Sequence, residues 1–205
     1  MRRIFVTGIG TGVGKTIVSA ILTEALKADY WKPLQTGSNE GTDTEIVRKL
    51  ISNNITKIHP EAFCLHKPVS PHEAAMVEGI SLAIKKIKIP ETSNTLVIEG
   101  AGGLMVPLNN KETMLDLIKS LDAEVVLVVR HYLGSINHTL LSVNALMDSG
   151  IKVAGIIYCG APNPASEKAI ADFCKYPVLG RVGEETGFTK SIILGYADQF
   201  RRALL

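Results

Sequence analysis

The stretch "GIGTGVGKT" (8–16) comes directly after the apolar run "RIFVT" (3–7) and directly before the helix-period segment "IVSAILTEAL" (17–26). A buried strand, a glycine-rich turn and a helix in that order constrain the fold more than anything else in the chain. Glycines let successive backbone N–H groups point inward as an anion nest, and the helix that opens near Lys15 turns its positive dipole end to the same spot. Such a turn binds phosphate, and its place between strand and helix belongs to α/β proteins. Lys15 then reaches the outer phosphates, and the Thr16 hydroxyl is placed to ligand Mg²⁺. Counting back from Gly14, the strict G-x-x-x-x-G-K-[ST] spacing would need glycine at Ile9; the chain carries Gly8 and Gly10 instead, so the loop is a deviant form. A dinucleotide G-x-G-x-x-G reading fails by one position at its third glycine, which leaves a nucleoside triphosphate. Gly12, Val13, Gly14, Lys15, Thr16 and Ile17 are assigned to it.

The rest of the chain repeats the alternation. Apolar runs at 95–99, 124–129, 152–158 and 177–182 are mostly continuous, as in strands covered on both faces. Helix-period segments lie at 15–28, 42–52, 113–121, 135–149, 164–175 and 189–203. The expectation is a P-loop NTPase-like parallel sheet with helices on both faces, in a single domain over 1–205. "PLQTGSNEG" (33–41) reads as a loop after the short strand "YWK", and "PVSPHEA" (68–74) as a turn opening a helix. There is no internal repeat and no linker.

A P-loop needs a second acid to share its metal, and "TLVIEGAGG" (95–103) supplies it. Glu99 emerges where a strand ends, at the carboxyl edge where α/β ligands bind. The turn Gly100-Ala101-Gly102 adds backbone donors beside it. Asp43, in "NEGTDTEIV", is adequately explained as an acidic residue in a helix's first turn. Lys32, taken alone, reads as a surface lysine ahead of a proline.

Other chemistries find little support. Lys and Arg total 22 against 20 acidic residues, a net charge of +2 that calls for neither nucleic acid nor an anionic membrane surface. No run approaches about 18 uninterrupted apolar residues, and "MRRIFVTGIG" lacks a signal-peptide core, so a cytoplasmic protein is expected. Cys64, Cys159 and Cys174 are too few and too scattered for a disulfide framework or a zinc site. His59, His66, His72, His131 and His138 show no paired ligand spacing, and no G-x-S-x-G elbow is present.

Taken in order, "FVTGIGTGVGKT", "KPLQTGS", an Asp shortly after, "SPHEAA", "VIEGAGGLMVPL" and "LGSINHTLLS" resemble the dethiobiotin synthetase family over most of the chain. The resemblance implies an ATP-dependent ligase of biotin biosynthesis. Such an enzyme carboxylates 7,8-diaminononanoate with CO₂ and closes the ring through a carbamate and a carbamic-phosphoric anhydride. By the same resemblance Lys32 is the active-site lysine, acting with Lys15 and Thr11. Thr36 and Ser38 lie around the substrate, and Thr16, Asp43 and Glu99 are the Mg²⁺ ligands. "LGSINH" is similar to the segment that receives the substrate carboxylate from a partner subunit, through Gly134, Ser135, Ile136 and Asn137. A homodimer is therefore implied.

The chain departs from the family pattern at Cys159, where members often carry an asparagine that reads adenine. A thiol cannot supply paired donor and acceptor, so Cys159 and Gly160 border a base site whose preference stays open. Gly183 stands where proline is common, and Gly12 replaces an acidic residue seen in some relatives. One competing reading is a partner-regulated ATPase of the MinD/ParA type. Its early loop lysine is here Gly10, and its amphipathic tail would have to be the short "FRRALL" (200–205). An amide-forming synthetase of cobalamin assembly would need a further glutaminase domain, and a nucleotide binder without catalysis would not need Lys15, Lys32, Asp43 and Glu99 together.

Overall fold

A computed structural model describes residues 1–204. Leu205, the last residue of the "FRRALL" tail and of the expected 1–205 domain, lies outside the described residues. The strands are β1 (Arg3–Gly8), β2 (Asp29–Trp31), β3 (Leu34–Gln35), β4 (Ile58–His59), β5 (Phe63–Cys64), β6 (Leu96–Glu99), β7 (Glu124–Arg130), β8 (Val153–Cys159) and β9 (Val178–Val182). The helices are α1 (Lys15–Leu26), α2 (Asp43–Leu50), α3 (Pro71–Val77), α4 (Met114–Ser120), α5 (Ser135–Asp148), α6 (Pro164–Phe173) and α7 (Lys190–Leu204).

Seven strands form one sheet in the order β4-β2-β6-β1-β7-β8-β9, with parallel pairing throughout, while β3 and β5 make a separate two-residue ladder. From β1 the chain crosses to β2 on one side, and β7, β8 and β9 step away on the other. Right-handed crossovers in opposite directions put α1 on one face and α5 and α6 on the other. Accordingly α1 packs against α2 and α7, and α5 against α6. Both faces are covered, which is why Val125 to Val129 are all buried.

Local chemistry sets the helix ends. Helix α1 stops at Leu26 rather than 28 because Lys27 adopts the left-handed conformation (φ 47°) and its N–H returns to Glu24 and Thr23 carbonyls. Thr42 and Glu45 form a capping box that opens α2, so Asp43 is the first helical residue. Asn163 caps α6, with Pro164 at its first turn. The expectation missed β3, β4 and β5: at two residues each they are too short for any periodicity to register.

No described helix is long and apolar enough to cross a membrane.

Candidate active site

The carboxyl ends of β1, β2 and β6 lie side by side, with Val6 in register with Glu99 and Trp31 with Ile98. The phosphate loop leaves β1, Lys32 follows β2, and Glu99 closes β6. Three segments far apart in sequence are thus delivered to one edge by sheet register.

The loop enters α1 at Gly14, whose φ of 104° is a conformation that L side chains rarely adopt. A Cβ there would also sit 2.8 Å from the Cys159 sulfur. No side chain caps α1, so the backbone N–H groups of its first turn face the cavity for a ligand to satisfy. Lys15 is only 8% exposed, and its Nζ donates to the Gly10 carbonyl at 2.7 Å. Burial is the main influence on that ammonium, and lowers its pKa to about 8 against the pull of Glu99. An arriving triphosphate would restore its full charge.

Beside the loop, four groups converge. The Thr16 hydroxyl lies 2.6 Å from Asp43 Oδ1 and 2.9 Å from Glu99 Oε1. Lys32 Nζ sits between the same carboxylates, 2.9 Å from Asp43 Oδ2 and 3.1 Å from Glu99 Oε1. Lys32 is 4% exposed, so it is not the surface residue its sequence context suggested, and Glu99, at the strand end where it was expected, is 1% exposed. Burial opposes charge on Lys32, but Glu99 and then Asp43 outweigh it and hold the ammonium above its ordinary value. For Asp43 burial pushes the carboxyl up, and Lys32 together with the Thr16 hydroxyl brings it below the usual range.

Two polar residues that no motif singled out hold these acids in place. The buried Tyr30 hydroxyl donates to Glu99 Oε2 at 2.8 Å, leaving Oε1 for Thr16 and Lys32. Burial first, then Glu99, drives the Tyr30 phenol well above its ordinary pKa, so it remains a donor. Gln35 Oε1 accepts the Asp43 N–H at 3.0 Å and so ties β3 to the opening of α2. In the sequence, Tyr30 reads only as a strand residue and Gln35 only as part of a loop; their roles depend on partners 69 and 8 residues away.

A cavity of about 700 Å³ spans this edge. It brings together Thr11, Gly12, Gly14, Lys15, Thr16, Ile17, Lys32, Thr36, Asp43, Glu99, Gly100, Ala101 and Gly102, with Ser70 and Pro71 from the "SPHEAA" segment on its far wall. A second cavity of about 380 Å³ shares Gly14 and Ile17 with the first and is lined further on by Arg130, Cys159, Gly160, Gly183 and Glu184. Cys159 is therefore in a pocket adjoining the phosphate loop, with its thiol pushed up by burial to about 12, a neutral group.

Some expected residues are not brought to either cavity. Val13 is buried in the core, where it packs on Gly8, so only its backbone faces the loop. Ser38 lies in a 3₁₀ turn (38–40) outside the lining. Gly134, Ser135, Ile136 and Asn137 open α5 beyond both cavities, next to a fully exposed Leu133.

Thr16, Asp43 and Glu99 offer three hard oxygens within hydrogen-bonding reach of one another. That donor set suits Mg²⁺, which takes one or two carboxylates and leaves its other positions to phosphate and water. Two carboxylates alone do not make an all-protein cage, and no cluster of three or more His, Cys, Asp or Glu that would hold a metal occurs among the described residues.

Comparison with known proteins gives the family and the fold. A family model described as an AAA domain matches residues 2–191. The ATP-dependent dethiobiotin synthetase BioD of Christiangramia forsetii is 56% identical over 200 residues, covering 98% of this chain and 96% of that protein. Its counterpart in Cytophaga hutchinsonii is 48% identical over 198 residues, covering 96% of both. Among solved structures, the septum site-determining protein MinD of Pyrococcus horikoshii, complexed with Mg-ADP, aligns with a TM-score of 0.60 at 18% identity, covering 99% of this chain and 94% of that one. At that identity the likeness is one of fold alone, which removes the regulated-ATPase reading's structural appeal.

Proposed function

The chain belongs to the ATP-dependent dethiobiotin synthetase family, and from that premise we propose that it carboxylates 7,8-diaminononanoate with CO₂ and closes the cyclic urea at the cost of one ATP. It is a ligase. One amine attacks CO₂ and loses a proton to give a carbamate. A carbamate oxygen attacks the γ-phosphorus and ADP leaves, giving the carbamic-phosphoric anhydride. The second amine then attacks the carbonyl carbon, phosphate leaves with the C–O electron pair, and a proton is lost as the ring closes.

The chemical difficulty is that an anionic carbamate must approach an anionic triphosphate. Buried cations answer it, because positioning and electrostatic stabilisation carry most of phosphoryl-transfer catalysis. Lys15 faces the phosphates from the loop. Lys32, fixed between Asp43 and Glu99 at 2.9 and 3.1 Å, stands where the two anions meet. That bracketed, buried ammonium is the observation that carries the proposal. Thr11 and Thr36 supply hydroxyls on the same cavity wall, and the turn 100–102 supplies backbone. Mg²⁺ held by Thr16, Asp43 and Glu99 would add charge neutralisation at the β- and γ-phosphates. Cys159 and Gly160 border the base.

The reading extends to a homodimer of single-domain subunits in the cytoplasm. Helix α5 has no side-chain cap at Gly134; the Ser135 N–H is taken by the Tyr132 carbonyl at 2.9 Å, which leaves those of Ile136 and Asn137 for a carboxylate. The cavity that holds Lys32 does not reach α5, and by the family resemblance the carboxylate comes from a substrate bound to the partner. The test is phosphate release with Mg²⁺ and bicarbonate, with and without the diamine, using ATP, GTP and CTP in parallel. Release that requires the diamine and disappears in Lys32→Ala is the expected result; release indifferent to the diamine would sink the assignment.

A further inference from the structure

The cavity read as the base site is lined by no side-chain amide among the described residues, so recognition of a base there would fall to backbone groups such as those of the turn after β8. Gly160 donates its N–H to the Val182 carbonyl of β9 at 2.9 Å. Its own carbonyl, and that of Ala161, lie 3.2 and 3.4 Å from Nη1 of Arg181. The other arm of that guanidinium pairs with Glu167 of α6. The same Glu167 oxygen accepts the Asn163 N–H at 2.9 Å and faces His131 Nε2 at 3.0 Å. The Arg181 guanidinium also rests 5.2 Å from the ring centre of Tyr158, the residue before Cys159. One arginine therefore contacts the turn on both sides of the residue that borders the base.

We propose that Arg181, backed by Glu167, is the positioning residue for the base end of the nucleotide site: it fixes the 159–163 turn and so sets nucleotide affinity without touching the phosphoryl-transfer groups. The inference rests on the reading of the second cavity as the base site. A planar fork suits the task because two donors from one rigid group can serve two carbonyls and a carboxylate together.

Calorimetric binding of ATP and of inorganic tripolyphosphate, both with Mg²⁺, tests it alongside KM and kcat. Tripolyphosphate meets the loop but has no base. In Arg181→Ala, ATP binding weakens about ten-fold, the scale of one net hydrogen bond lost at the base, while tripolyphosphate binding changes less than two-fold. KM for ATP rises and kcat at saturation holds. Arg181→Lys recovers part of the loss, and Glu167→Gln, which keeps its shape, shows the same selective loss to a smaller degree. Those two variants carry the test if the alanine variant does not fold. Equal weakening of both ligands, a fall in kcat, or no change at all would overturn the role of Arg181. Wild-type protein that binds ATP no more tightly than tripolyphosphate would overturn the base-site reading, and this inference with it.

Discussion

The two ends of the proposed nucleotide cleft are built on opposite principles. At the phosphate end Lys15, Lys32 and Glu99 are nearly excluded from water, and each charge is fixed by another charge or a backbone group within about 3 Å. At the base end the charged pair Arg130–Glu184 is half exposed and 3.5 Å apart, and the buried member is a neutral thiol. Low-dielectric, prearranged charge stabilises a transition state, whereas a solvated ion pair contributes about 0–1 kcal/mol. The first region can therefore determine rate, and the second only affinity and selectivity.

Lys32→Ala strikes hardest at that contrast. Loss of one prearranged cation lowers kcat by about 10²–10³-fold, while nucleotide affinity changes by far less, as measured by diamine-dependent phosphate release and by ATP binding. A collapse in affinity with kcat intact would reverse the division of labour. Tyr30→Phe comes next. It frees Glu99 Oε2 and raises the Mg²⁺ concentration for half-maximal activity about ten-fold, the usual scale for a group that orients a metal ligand; a magnesium titration reads it. Cys159→Asn works at the other end. Restoring an amide favours ATP over GTP and CTP by about five- to ten-fold in kcat/KM, about what one or two net hydrogen bonds are worth, with kcat for ATP unchanged.

The smallest effect is on stability. Burial pushes the Glu167 carboxyl up, but the Asn163 N–H, Arg181 and His131 more than offset it, and its folded pKa lies below its ordinary value. A depressed carboxyl stabilises the fold fully above its unfolded pKa and loses that contribution as pH falls through the folded one. Wild type should therefore melt about 2–4 °C above Glu167→Gln at pH 7, for a contribution near 1 kcal/mol. The gap should close as the pH drops below about 4. A gap that widens in acid would show that Glu167 is not held as a carboxylate.

Much of this was readable in advance. The order of strand, glycine turn and helix required a phosphate loop, and the continuous apolar runs required a parallel sheet covered on both faces. Glu99 was legible because it ends a strand, a position with chemical meaning in any α/β protein. Local patterning sufficed for these, since a strand's burial and a loop's anion nest depend on neighbours along the chain. Asp43 and Lys32 were different. Each had an ordinary local explanation, a first-turn acid and a surface lysine, and only the resemblance of the surrounding motifs raised them.

Tertiary structure decided the rest. Parallel pairing of β2 and β6 on one side of β1 places Lys32 beside Glu99, and Gln35 anchors the start of α2 so that Asp43 meets both. Tyr30 and Arg181 emerged only there, because a hydrogen bond across 69 residues, or a guanidinium laid over a turn 20 residues away, leaves no periodic trace. Sequence by itself determined which segments are buried and where the glycine-rich turn lies between strand and helix, for those follow from local hydrophobicity and backbone freedom. Which charges face one another, and hence how burial shifts them, was decided by sheet register, a property of the folded chain alone.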